Sequence, residues 1–239
     1  WGEAGNYWGH NAIVRVEAFR AAVHLPILPG RAPLGGEILS HDFVEAAWIR
    51  RAGWEVVLDP ASRGSAEDAP QTLAAFLRRD RRWCQGNLQH LRLLAEPGLH
   101  PLSRLHLLSG VLGYLVAPVW LLLVVLIAAG AVTVSGVLPF ALVVLLLLLP
   151  KFCALAERLP KARTRRRRRV FLRAAAVELL VSTLVTPLIL LRQARAVAEV
   201  LLGRDCGWKD GRAARQRLPS GSGEALVAAW IGPDGTPSA

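Results

Sequence analysis

Between Leu107 and Leu149 the chain carries no Asp, Glu, Lys, Arg or His. At ~1.5 Å per helical residue, this stretch is about twice the ~30 Å hydrocarbon thickness of a bilayer. It therefore predicts two membrane spans, one near Leu105–Ala129 bearing Tyr114 and Trp120, the other near Val137–Ala156. Gly130-Ala131-Val132-Thr133-Val134-Ser135-Gly136 supplies the uncharged turn between them. A buried helical hairpin of a large soluble protein is the bland alternative.

The charges sit at the ends of the apolar stretches. Arg158, Lys161, Arg163, Arg165 to Arg169 and Arg173 form a basic cytoplasmic loop over 158–173 by the positive-inside bias, suited to anionic headgroups. A third apolar segment, 174–203, carries Glu178, Arg192, Arg195 and Glu199 and is interrupted at Pro187. Either it crosses once, or it dips in and returns near Thr186-Pro187 as a re-entrant hairpin. The hairpin keeps both basic flanks in the cytoplasm, and the reading leans that way. Beyond it, 204–239 reads as a cytoplasmic loop and a tail with a short apolar run, Ala225–Ile231.

Composition narrows the classes. Lys+Arg 29 against Asp+Glu 18 gives a net charge of +11, yet 53% of residues are hydrophobic, which excludes a disordered chain. A soluble nucleic-acid binder could hold that charge but not the uncharged run. Three scattered cysteines, Cys84, Cys153 and Cys206, encode no disulfide framework or zinc module. The chain opens on Trp1-Gly2-Glu3 and contains no Met, which predicts an internal piece of a longer protein.

Residues 1–69 read as mixed α/β. A strand is expected at Ala12–Val16, a helix at Glu17–Val23, and an irregular Pro/Gly loop follows. Ser40 is an N-cap candidate for a helix Phe43–Ala52 with Asp42 in its first turn, closed at Gly53; Trp54–Leu58 reads as a strand. From Gln71 to Leu94, apolar residues at three- and four-residue spacing predict a helix decorated by Arg78, Arg79, Arg81 and Arg82 and carrying Trp83. This amphipathic region, 70–103, suits a membrane interface.

Three strings carry a resemblance: Trp8-Gly9-His10-Asn11-Ala12-Ile13-Val14-Arg15, Leu39-Ser40-His41-Asp42-Phe43-Val44-Glu45-Ala46, and Arg78-Arg79-Asp80-Arg81-Arg82-Trp83-Cys84-Gln85-Gly86-Asn87. In this order, ahead of membrane spans, they resemble the second half of a family 2 processive glycosyltransferase, with its Thr-Glu-Asp and Gln-x-x-Arg-Trp motifs. The wording is most similar to the branch that builds the glucose backbone of osmoregulated periplasmic glucans. The match is dense over residues 5–95 and looser through 217.

The resemblance implies the C-terminal half of a GT-A-type domain, an interfacial helix and transmembrane helices, in a multi-pass inner-membrane enzyme with a cytoplasmic catalytic domain. It implies an inverting transfer of glucose from UDP-glucose to a β-1,2-glucan acceptor. Asp42 would be the general base, Arg82 would stabilise the leaving diphosphate, and Trp83 would lie under the acceptor sugar. Arg79 and His41 stand where the wider family has Gln and Glu, so the contacts made there are open. His10 and Asn11 would line the pocket. Arg204-Asp205-Cys206-Gly207-Trp208 occupies the place of a cytoplasmic gating loop, with Gly207 and Trp208 as its candidate residues. The chain lacks an Asp-x-Asp motif, so the ligands of the expected divalent cation (Mg or Mn) would lie upstream and no metal ligand is assigned here. The fragment alone would be inactive. Expected partners are UDP-glucose, the glucan acceptor, the bilayer and periplasmic glucan-processing proteins, with no nucleic acid. A cellulose, hyaluronan or chitin-like synthase would use another donor or linkage; a non-catalytic transporter or scaffold would have no acidic metal motif upstream.

Overall fold

The structure, a computed structural model, describes residues 5–6, 12–22, 24–59, 70–133 and 136–206. Among the described residues six helices follow in order: α1 (Val16–Ala22), α2 (His41–Arg51), α3 (Leu73–Gln89, prolonged by a 3-10 turn His90–Arg92), α4 (Pro101–Ala128), α5 (Val137–Lys161) and α6 (Arg165–Leu201). Three of them, α4, α5 and α6, are long and apolar enough to cross a membrane. His10, Asn11, Gly207, Trp208 and the Ala225–Ile231 run lie outside the described residues.

The two expected strands are not formed among the described residues. Residues 12–15 are irregular and Val16 already belongs to α1, while 54–59 run without a ladder. The only β pairing among the described residues is an isolated antiparallel bridge, Leu28 to Gly36. A strand exists only with a neighbour for its N–H and C=O groups. Here one partner group is present, the Gly5 N–H, which donates to the Val56 carbonyl at 2.7 Å.

The helix starts follow local chemistry. The Thr72 hydroxyl accepts from the Ala75 N–H at 3.1 Å and caps α3, and the Thr164 hydroxyl does the same for Arg167 in α6 at 3.2 Å. Pro101 at the head of α4 loses no helical hydrogen bond. Ser40 does precede α2, but its hydroxyl caps nothing: Ser40 Oγ is buried without a hydrogen-bond partner.

Two findings revise the membrane region. First, 158–173 is mostly helix rather than loop: Arg158 and Lys161 close α5, Arg165 to Arg173 open α6, and only Ala162–Thr164 connects them. Second, α6 is continuous through Pro187, so the hairpin turn at Thr186-Pro187 is not made. In lipid a turn would strand several backbone groups, whereas a proline inside a helix leaves only the carbonyl four residues back, here that of Thr183, without its usual N–H donor. Thr183 Oγ1 donates to the Leu179 carbonyl at 2.7 Å and Ser182 Oγ to the same carbonyl at 3.1 Å. Lys151 of α5 bonds both carboxylate oxygens of Glu178 in α6 at 2.7 Å and Ser182 Oγ at 3.2 Å, pinning these helices together.

Burial concentrates where the site is built. One cluster gathers Ala18 and Ala22 of α1, Val44 and Trp48 of α2, and Leu93 and Leu107. A second joins Cys84 and Leu88 of α3, Val111 of α4, and Val197 and Val200 of α6. The C-terminal half of α3 is thus enclosed, and α6 ends beside it.

Candidate functional site

Alpha-helical phase divides α3 into two faces. Arg79, Arg82, Trp83 and Gly86 fall at i, i+3, i+4 and i+7, on one side; Asp80, Cys84, Asn87 and Leu88 fall on the other. The second face is the packed one. Asp80 is buried, accepts from the Tyr114 hydroxyl of α4 at 3.1 Å, and meets Gln193 Nε2 of α6 at 3.3 Å. Burial raises its carboxyl above the ordinary range, and the Tyr114 and Gln193 donors oppose that rise. The Cys84 thiol beside it is pushed up to about 12 by burial and is not a nucleophile. Gly110 of α4 faces Asn87: a Cβ there would collide with Asn87 Oδ1, so the glycine lets the helices close.

The first face meets the entry to α2. Gly86 packs against Ser40 so closely that a Cβ would stand 2.6 Å from the Ser40 nitrogen. Just beyond, Gln89 Nε2 donates to the Glu37 carbonyl at 3.1 Å and the Gly35 carbonyl at 3.4 Å, and its Oε1 accepts from the Leu39 N–H at 3.0 Å. His90 Nε2 lies 3.0 Å from the Ser40 carbonyl. A carbonyl only accepts, so the neutral ring is protonated on Nε2; burial holds its pKa down to about 4. The segment 35–40 is thereby fastened to α3 immediately before Asp42.

At the start of α2, His41 Nδ1 is 2.9 Å from Glu45 Oε1 and 3.2 Å from Asp42 Oδ1. The hydrogen bond to Glu45 chiefly raises the His41 pKa, burial opposes it, and the charges of Asp42 and Glu45 add to the rise. The ligand atoms of His41, Asp42 and Glu45 lie within 4.8 Å of one another. As a cation cradle the set fits poorly. The ring nitrogen already bonds both carboxylates and favours holding a proton there, and Mg²⁺ prefers all-oxygen ligands. Asp42 is about one-quarter exposed (26%) and close to the positive end of the α2 dipole.

Among the expected site residues, the structure therefore sets His41 and Asp42 on the first turn of α2, and Arg79, Arg82 and Trp83 on one face of α3. Arg79 stacks on Trp83, its guanidinium carbon 4.4 Å from the ring centroid. The Trp83 carbonyl accepts from Asn87 Nδ2 at 2.9 Å. The described end of the expected gating segment also touches α3. Arg81 bonds Glu199 of α6 at 3.2 Å and the Arg204 carbonyl at 2.7 Å, and Gln85 donates to Asp205 at 2.6 Å. A continuous α6 thus ends with Arg204 and Asp205 against α3.

The sequence reading overlooked Gly86, Gln89, His90 and Gly110 as site-building positions. One signal was present: a glycine inside a helix costs about 1 kcal/mol relative to alanine, so Gly86 and Gly110 each required a packing reason. Nothing in the periodicity distinguished Gln89 or His90 from a solvated helix end.

Residues 2–155 match the family model described as glycosyl transferase family group 2, and the chain belongs to that family. Proteins named glucans biosynthesis glucosyltransferase H are similar to it. The one from Rhodopseudomonas palustris (strain TIE-1) is 44% identical over 269 aligned residues, covering 96% of this chain and 37% of the relative. That of Bradyrhizobium diazoefficiens is 43% identical (88% of this chain, 32% of the relative). That of Vibrio cholerae (serotype O1, strain O395) is 41% identical (90% and 34%). The chain spans about a third of the length of these curated relatives. No solved structure matches it.

Proposed function

We propose that this chain is the acceptor-side and membrane part of an inverting glucosyltransferase that moves glucose from UDP-glucose to a growing β-1,2-glucan of the osmoregulated periplasmic type. The observation that carries the reading is the fastening of the Asp42 helix start to the helix bearing Arg79, Arg82 and Trp83. The similarity to glucosyltransferases with that printed name supports the substrate class.

The step balances as follows. The Asp42 carboxylate takes the proton of the acceptor hydroxyl, and that oxygen forms a bond to the anomeric carbon of the donor glucose. The bond from that carbon to the UDP oxygen breaks, and UDP departs with the electron pair, so the anomeric configuration inverts. Arg82 offers a fork of donors to the departing diphosphate, and Trp83, braced by Arg79, offers a flat face to the acceptor sugar. His41 shares its proton with Glu45 and Asp42 and so sets the direction in which the Asp42 carboxylate points. The divalent cation general to such enzymes would be held by acidic residues outside this chain, within a GT-A-type domain that this chain completes. The family resemblance supports a gating role for Gly207 and Trp208 and a substrate-binding role for His10 and Asn11. The enzyme works from the cytoplasmic face of the inner membrane, with the glucan leaving between the apolar helices.

Membranes carrying the full-length enzyme, supplied with labelled UDP-glucose, should yield β-1,2-linked glucan. A different linkage, or a preference for another nucleotide sugar, would overturn the substrate assignment.

A further inference from the structure

We propose that Gln89 and His90 are positioning residues that hold the base Asp42 in register with the acceptor-binding face of α3. The inference rests on the reading of Asp42 as the base and deepens it.

Gln89 is 1% exposed and His90 0%; the Gln89 amide and His90 Nε2 bond the 35–40 segment, while His90 Nδ1 is buried without a partner. The Gln89 amide makes three contacts to backbone groups of Gly35, Glu37 and Leu39, and His90 Nε2–H donates to the Ser40 carbonyl. Only His41 separates that carbonyl from Asp42. The segment needs such a clamp: it contains Gly36 in the left-handed region (φ +85°), and Ser40 makes no side-chain cap to fix the helix start. Both clamping residues lie about two turns beyond Arg82 and Trp83. A rotation or shift of α3 would therefore move the acceptor platform and the base together. Because misplacing a reacting group by about 1 Å can cost about a hundredfold in rate, these residues should govern turnover without touching substrate.

The test uses the full-length enzyme in membranes. Gln89→Met keeps the volume but removes all three bonds. It should lower kcat about 10- to 100-fold while the KM for UDP-glucose stays within about twofold. In an Asp42→Asn background it should cost less than about twofold more, since a positioning group has nothing left to position. His90→Gln, which keeps a donor near the Nε2 position, should recover most of what His90→Phe loses. This pair carries the same test if Gln89→Met fails to accumulate. Wild-type kcat in Gln89→Met or His90→Phe, with Asp42→Asn slow, overturns the positioning role and leaves the base standing. A loss that multiplies that of Asp42→Asn, or an equal rise in donor KM, reduces the pair to structural support and overturns the proposal. An Asp42→Asn enzyme near the wild-type rate refutes the base itself, and the proposal falls with it.

Discussion

Replacing Gly86 by alanine adds one methyl group at the contact between α3 and the residue that precedes the α2 helix. That methyl would stand 2.6 Å from the Ser40 nitrogen and 2.9 Å from its Cβ, where ordinary contact begins at 3.4 Å. Backbone must therefore separate by 3.4 − 2.6 = 0.8 Å, because a main-chain nitrogen cannot swing aside as a side-chain tip can. Two stability effects oppose each other: overpacking costs about 1–3 kcal/mol, and alanine in a helix interior gains about 1 kcal/mol over glycine. The net change is about 0–2 kcal/mol, small enough for the protein to fold. The displacement falls on Asp42, and about 0.8 Å at a reacting group corresponds to roughly 10- to 100-fold in turnover. The assay is the initial rate of glucan formation at saturating UDP-glucose, read beside the thermal midpoint of the detergent-solubilised enzyme. Gly113→Ala is the control, since a Cβ there meets nothing within 4 Å. It should keep wild-type turnover and gain about 1 kcal/mol. Wild-type turnover in Gly86→Ala, or an equal loss in Gly113→Ala, would refute the argument from close approach.

Two further outcomes follow from other parts of the molecule. The buried His90 ring is held down to about 4, against 6.5 when unfolded, so its contribution to stability is complete above pH 6.5. That contribution is lost as the pH falls toward 4, by about 1.4 kcal/mol per unit. The thermal midpoint should therefore drop more steeply between pH 7 and 5 in the wild type than in His90→Gln, and parallel curves would contradict the assignment. Lys151→Glu should leave two carboxylates facing each other between α5 and α6 and reduce accumulation in membranes. The exchanged pair Lys151→Glu with Glu178→Lys should restore it, whereas no recovery would mean the helices do not meet there.

What the sequence disclosed depended on how local the cause was. The apolar spans were legible because lipid imposes length and polarity on each helix separately, and α4 and α5 start within a few residues of their expected places. The helix that carries Arg79, Arg82 and Trp83 was legible from apolar spacing, whereas those three residues were singled out by the motif resemblance. The strands at 12–16 and 54–58 were not, since a strand is a property of two segments and the ladder partner is absent from the described residues. Continuity of α6 through Pro187 was left open beside the favoured hairpin, because the charge pattern argues about flanks while the helix is decided by backbone satisfaction within it. Ser40 read as a side-chain cap because its residue type and position fit one; the observed tie is its carbonyl, held by His90 from fifty residues away. Contacts of that range leave no periodic trace. The glycines Gly86 and Gly110 were the visible hint, and only the geometry shows what each admits.

The most direct test of the account is the polymerisation rate of full-length Asp42→Asn in membranes supplied with labelled UDP-glucose. The substitution keeps shape and removes the proton acceptor. The account predicts a rate at least about a hundredfold below wild type with UDP-glucose binding retained. A rate near wild type would contradict it.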